Sequence, residues 1–250
     1  MEEGVDSLKY LFEIHLPKTT QTISYGKAKE IALNLSFVDE ESGVSQSGVY
    51  IWPGSFRLAE YLIDRWATIP HLQVLELGAG IGSTGLICAK LQQERKELDG
   101  TVVLTDREVQ LLALIEQNAE QNGLKNIATA RLDWGPTGAK SLREMRYHLN
   151  CYEFDLLVGS ELYYDLSRIH ELFWTASQLL RDSKSLLLTC SSFNRDARAF
   201  AEFDRVCDRV GLERTVIENS FASQTNTPEY QRKGFILESF QLKCVDVYFV

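Results

Sequence analysis

A handful of glycines and carboxylates in the first two-thirds of the chain have the types and spacing to hold a ligand. In "VLELGAGIGSTGL", residues 74–86, Gly78, Gly80, Gly82 and Gly85 crowd behind an apolar run that includes Glu76. Glycines this dense let a bound molecule come close to the backbone. The spacing is GxGxG, so Ser83 stands where the dinucleotide fingerprint GxGxxG places its third glycine. The phosphate-loop pattern GxxxxGK[ST] is absent as well. A carboxylate beside such a turn repels pyrophosphate and suits a cation. An adenosyl ligand carrying an ammonium and a sulfonium fits better than a dinucleotide.

Two further segments extend this chemistry. "VVLTD" ends at Asp106, where an acceptor can take both hydroxyls of a ribose. "RLDWG" then presents Asp133, placed to accept from an adenine amino group, with Trp134 beside it to stack on the ring. Taken singly, Asp106 reads equally well as a cap for the helix beginning near Glu108, and Trp134 as a core aromatic. Their order after successive strands, beside the glycine turn, favours a common site.

The elements that must position these residues alternate. "LFEIHL" and "IALNLSFV" read as half-buried strands of an N-terminal β extension (residues 1–50), with "SYGKAK" between them. "SFRLAEYLIDRWA" places Phe56, Leu58, Ala59, Leu62, Ile63 and Trp66 at helical spacing just after Pro53. From residue 72 the chain reads as strand "QVLELG", helix "STGLICAKLQQE", strand "TVVLTD", helix "EVQLLALIEQNAEQN", and strands "IATARL" and "FDLLVGS". Helix "RIHELFWTASQLL", strand "SLLLTCS" and helix "DARAFAEFDRVCDRVG" follow. The strands "ERTVIE" and "FQLKCVDVYFV" come last. Such alternation predicts an α/β domain over 51–250, a doubly wound, mostly parallel sheet with helices on both faces. The last two strands have no helix between them and predict an antiparallel C-terminal hairpin. The polar "SQTNTPEYQRKG" joining them reads as a connector, with lining of a substrate site as the alternative.

Composition narrows the function classes. The 250 residues, 44% of them hydrophobic, suffice for a sizeable core, and no apolar run is long enough to span a membrane. The acidic N-terminus lacks the basic and apolar regions of a secretory signal. Cys88, Cys151, Cys190, Cys207 and Cys244 are scattered, which predicts reduced thiols and a cytoplasmic or nuclear setting. Neither the cysteines nor the four isolated histidines form a metal-ligand pattern, so no metal is expected. A formal charge of -9 without a basic run disfavours nucleic acid and leans towards a cationic, lysine-bearing partner.

These motifs resemble the class I S-adenosylmethionine-dependent methyltransferases, and more narrowly the seven-β-strand protein lysine methyltransferases called family 16, or methyltransferase-like 21. The resemblance runs from about residue 48 to 192 through "GVYIWPGSFRLAEYL", "VLELGAGIGSTGL", "VVLTDREVQLLALIEQNAEQN", "LDWG" and "FDLLVGSELYYD". The glycine motif marks the superfamily. The Trp-Pro dipeptide, the Trp-Gly after an aspartate and a [D/E]xx[Y/F] motif mark the narrower group. That motif reads here Glu161, Leu162, Tyr163, Tyr164.

The resemblance implies a Rossmann-like seven-stranded fold and S-adenosylmethionine as cofactor. Glu76, Gly78 and Gly80 would surround its methionine part. Asp106 would hold the ribose, Asp133 and Trp134 the adenine, Trp52 would close over it, and Ser160 would line the pocket. Glu161 and Tyr164 would face the target lysine of a protein substrate, with translation factors and chaperones as plausible targets. Neutralising a lysine of pKa about 10.4 near pH 7.4 costs roughly 4 kcal/mol. An aromatic slot of Tyr164, with Tyr163 and Trp52, would lower that cost by desolvation. Glu161 favours the charged form, so its implied role is capture and orientation, with bracing of the turn after "FDLLVGS" as the alternative. On the capture reading, Glu161→Ala loses transfer and keeps cofactor affinity. Rival functions are the same fold acting on a small molecule or another protein nucleophile, and a cofactor-binding interaction module with little turnover.

Overall fold

The computed structural model describes residues 18–38, 48–97, 99–221 and 234–243. Seven strands form one sheet, with β5 (Ile127–Arg131), β4 (Thr101–Asp106), β3 (Gln73–Glu76), β6 (Leu156–Ser160) and β7 (Leu186–Ser191) side by side and parallel. Beyond β7, β9 (Ile236–Leu242) runs antiparallel to it, and β8 (Leu212–Asn219) pairs antiparallel on the outer edge of β9. The expected C-terminal hairpin is therefore present. Its second strand begins earlier than the sequence pattern suggests, and residues 244–250 of that pattern lie outside the described residues.

Successive strand residues feed opposite cores, as the two-residue side-chain period requires. Val74, Leu156 and Val158 join one apolar cluster, while Leu75 and Leu157 join the other. Helices α1 (Pro53–Arg65), α2 (Ser83–Glu94) and α3 (Val109–Gln121) cover the first face. Helices α4 (Ala139–Leu149), α5 (Ile169–Leu179) and α6 (Ala197–Val210) cover the second. Helix α4 has no counterpart among the predicted elements. It buries only Leu142 and Met145, too few apolar positions for a clear period.

A separate antiparallel hairpin, β1 (Lys18–Tyr25) and β2 (Ile31–Val38), lies against the first face. Strand β2 alternates as predicted, with Ile31, Leu33 and Leu35 buried. Its partner is "KTTQTISY", whereas the predicted strand at residues 11–16 lies outside the described residues. Strand β1 is exposed over most of its length, so no apolar alternation announces it; its threonines supply β propensity instead. The other edge of β2 is closed by side chains of α3. Asn34 N donates to Asn122 Oδ1 and Ser36 N to Asn118 Oδ1, both at 2.8 Å. The Asn118 amide also donates to the Ile81 carbonyl at 3.1 Å, which ties the hairpin to the glycine turn. No helix of the described residues is long and apolar enough to cross a membrane.

Candidate active site

Strand order reverses between β3 and β6, and ligands of such sheets sit outside the carboxyl ends at that point. A cavity of about 300 Å³ opens there. All ten residues expected to carry function line it: Trp52, Glu76, Gly78, Gly80, Asp106, Asp133, Trp134, Ser160, Glu161 and Tyr164. They come from five chain segments, each at the start of a helix or the end of a strand.

The floor is the glycine turn between β3 and α2. Gly80 has φ +57°, and a Cβ on it would lie 2.8 Å from the Gly48 carbonyl oxygen. Gly78, at φ +59°, packs against Trp134 and Leu162. At Gly80 the positive φ and the facing backbone oxygen together exclude a Cβ, whereas Gly78 is bounded by side chains that can shift. Asp106 fixes the turn from the next strand. Its Oδ2 accepts from Gly80 N at 3.0 Å and its Oδ1 from Glu108 N at 3.0 Å. The helix-cap reading is thus half met, because Asp106 braces the approach to α3 while Glu108 occupies the N-cap. Burial raises the Asp106 carboxyl above the ordinary aspartate range, against the pull of those backbone donors.

Glu76 is buried, and its Oε2 accepts from Gly85 N at 2.8 Å in the first turn of α2. Burial pushes its carboxyl up to about 8, assisted by the nearby Asp106 and opposed by the Gly85 N–H. A carboxyl with that value is largely protonated near neutral pH.

Trp134 is half-buried and serves both readings, because one part of it packs against the second apolar cluster. It lines the cavity with Arg168 placed 5.7 Å from its ring centre. Asp133 pairs with Arg131 at 3.1 Å. The Ser160 and Ser55 hydroxyls are hydrogen-bonded at 2.7 Å, which joins β6 to the first turn of α1. Trp52 caps α1 and sits 6.4 Å, ring to ring, from Phe193. Both are exposed and line the cavity, as does Tyr164, 65% exposed, so the three form an aromatic rim.

Tyr163 does not join them. It is 4% exposed, packs on Phe173 and Phe203, and its hydroxyl meets Thr189 Oγ1 at 2.7 Å. The expectation that it would help form the slot is corrected, since adjacent tyrosines on this turn point to opposite sides. Phe193 lines the cavity beside Trp52 instead.

Glu161 has the bracing contacts that the sequence left as an alternative. It is 6% exposed; Oε1 accepts from Gly54 N at 2.9 Å, and both oxygens accept from Ser192 N at 3.0 Å. Its backbone is left-handed, at φ +56°. A non-glycine residue held there costs roughly 1–3 kcal/mol and persists only when its surroundings over-determine it. Four contacts do so, the last being Glu161 N donating to the Cys190 carbonyl at 2.9 Å.

Tyr50, Ser55, Ser83, Arg168 and Phe193 also line the cavity and carried no expected role. Ser55 and Tyr50 flank the Trp-Pro pair. Phe193 follows the carboxyl end of β7, where the switch-point rule directs attention.

Comparison with known proteins agrees with this geometry. The family described as lysine methyltransferase matches residues 31–204. The mouse "Histone-arginine methyltransferase METTL23" is 23% identical over 202 residues, 78% of this chain and 74% of its own. "Protein-lysine N-methyltransferase EFM3" of Chaetomium thermophilum is 24% identical over 191 residues, 73% of this chain and 54% of its own. In fold, the chain is similar to "A putative sam-dependent methyltransferase from Streptococcus mutans", with TM-score 0.60 and 15% identity over 89% of this chain and 55% of the other. The family match spans well over half of the sequence, from β2 into α6, and on that ground the chain belongs to the lysine methyltransferase family and takes S-adenosylmethionine as its methyl donor.

Proposed function

We propose that this protein transfers methyl groups to the side-chain amine of lysine in a protein substrate. The observation that carries the choice of lysine is the state of Glu161. Arginine recognition needs two coplanar acceptor oxygens for the guanidinium fork. Glu161 is the carboxylate beside the aromatic rim, and both its oxygens already accept backbone N–H groups. An amine asks for less: a slot of aromatic faces for the ammonium and its aliphatic stem. Trp52, Tyr164 and Phe193 supply that. The relatives' names include both lysine and arginine methyltransferases, and this feature favours the former.

The cavity suits the donor. The glycine turn leaves backbone where a Cβ would clash, and Glu76 offers a buried carboxyl for a cation. On this reading Glu76, Gly78 and Gly80 hold the methionine part, Asp106 the ribose, and Asp133 and Trp134 the adenine. Trp52 covers the ligand and Ser160 lines its pocket. When bound, the donor supplies a methyl activated by its sulfonium. The rim excludes water from the lysine stem and lowers the amine pKa by desolvation. The ammonium proton leaves to water before attack. Glu161 orients by holding the start of α1 and the loop after β7, and the substrate lysine does not depend on it as a base.

Chemical blocking tests the residue class. A cell lysate is incubated with the protein and methyl-labelled S-adenosylmethionine. Acetylating the lysate's lysines beforehand should abolish labelling, whereas capping its arginines with a dicarbonyl reagent should leave it. The reverse pattern would refute the reading.

A further inference from the structure

Behind the aromatic rim lies a buried charge that the chemistry above does not use. Arg195 is 8% exposed and pairs through Nη2 with Oε2 of Glu238, 0% exposed, at 2.5 Å. Arg214 takes the other Glu238 oxygen at 2.8 Å and continues to Asp204 at 2.7 Å. The Arg195 guanidinium stands 5.0 Å from the Tyr163 ring centre and 4.5 Å from that of Phe203. Among the described residues its Nε and Nη1 have no hydrogen-bond acceptor. Buried donors without partners are costly, and apolar replacements of buried ion pairs are often neutral or stabilising. Folding alone is a weak reason for an arginine here.

The connections supply a better one. Arg195 lies on the loop after β7, three residues beyond Ser192, whose N–H holds Glu161, and two beyond Phe193 of the rim. Tyr163, against which it packs, stands between Glu161 and Tyr164. The two loops are thus joined at the front by Glu161 and Ser192, and at the back by Tyr163 and Arg195. Glu238 anchors that rear contact to β9.

We infer that Arg195 is a positioning residue: its pairing with Glu238 and packing on Tyr163 fix the two loops that carry Glu161 and the aromatic rim. It does not line the cavity and touches neither cofactor nor lysine. The inference rests in part on the lysine-transfer reading, because transfer is one of its readouts.

The test compares Arg195→Met, Arg195→Lys and the double variant Arg195→Met/Glu238→Gln with the parent. Amide hydrogen exchange at Gly54 and Ser192, affinity for S-adenosylhomocysteine, thermal midpoint and labelled transfer to lysate protein are measured. In Arg195→Met, exchange at both amides should rise about tenfold while strands β3 to β5 keep their protection. Transfer should fall about tenfold with S-adenosylhomocysteine affinity within roughly threefold. Arg195→Lys, which keeps the charge, should recover part of both. The double variant should regain thermal stability without regaining transfer. Unchanged exchange in Arg195→Met, or transfer returning together with stability in the double variant, would overturn the inference. If the parent labels no protein, the lysine reading falls, and the exchange data alone decide the role of Arg195.

Discussion

The Glu161 carboxylate and the backbone N–H of Ser192, thirty-one residues apart in sequence, meet at 3.0 Å through both carboxylate oxygens. With the further bond from Gly54 N at 2.9 Å, this contact joins β6, β7 and α1 around one side chain.

Replacing Glu161 therefore tests two effects at once. Glu161→Ala leaves the Gly54 and Ser192 donors without their acceptor, at about 1–3 kcal/mol each. The left-handed backbone strain remains. Glu161→Gly loses the same bonds and relieves that strain, so it should be about 1 kcal/mol more stable than the alanine variant. Denaturant unfolding of the two measures the order. Both should lose methyl transfer, and a variant that retains it would remove Glu161 from the account.

Glu76 sets a pH dependence. Its folded-state value of about 8 lies above its ordinary 4.5, so the native state binds the proton more tightly than the unfolded chain. The associated stability is fully present below pH 4.5 and is lost as pH rises through about 8. Glu76→Gln should flatten this decline and be relatively most stabilising above about pH 8. A cationic ligand beside the carboxyl pulls its pKa down, so cofactor binding at pH 7 should release up to about one proton. Calorimetry in buffers of different ionisation enthalpy reads that release, which Glu76→Gln should abolish.

The glycine turn makes a graded prediction. Gly80→Ala puts a Cβ against the Gly48 backbone oxygen, which cannot swing away. Gly78→Ala meets side chains of Leu162 and Trp134, which can yield by a few tenths of an ångström. Both carry positive φ, costing about 1–3 kcal/mol, so Gly80→Ala should lose more stability and more cofactor affinity than Gly78→Ala. Thermal unfolding and S-adenosylhomocysteine titration check the order.

Asn118 links the hairpin to the ligand site. It is buried, accepts from Ser36 N and donates to the Ile81 carbonyl. Asn118→Leu should destabilise by about 2–4 kcal/mol, because it leaves both backbone groups unpaired. S-adenosylhomocysteine affinity should fall as the glycine turn loosens. Loss of stability with affinity untouched would show that the hairpin does not support the turn.

Much of the site was legible because its residues stand where strands end. Asp106, Asp133 and Ser160 close or follow apolar runs, and the glycines mark the turn between β3 and α2. What stayed hidden is side-chain direction and long-range pairing. Nothing in "ELYYD" tells that Tyr163 turns inward to Thr189 while Tyr164 faces solvent, nor that Glu161 is left-handed. The pairing of Arg195 with Glu238 crosses from a loop to a strand forty-three residues on. Strand β1 and helix α4 were missed for a related reason. One is exposed on most positions and the other buries two residues, so neither prints a period on the sequence.

The most direct measurement is the identity of the modified residue. Protein from a lysate of the source cells, labelled by the enzyme with methyl-labelled S-adenosylmethionine, is resolved and the labelled band hydrolysed completely. Lysine transfer requires a discrete band that yields methyl-lysine and is lost with Glu161→Ala. Methyl-arginine in that hydrolysate, or transfer undiminished by the variant, would contradict it.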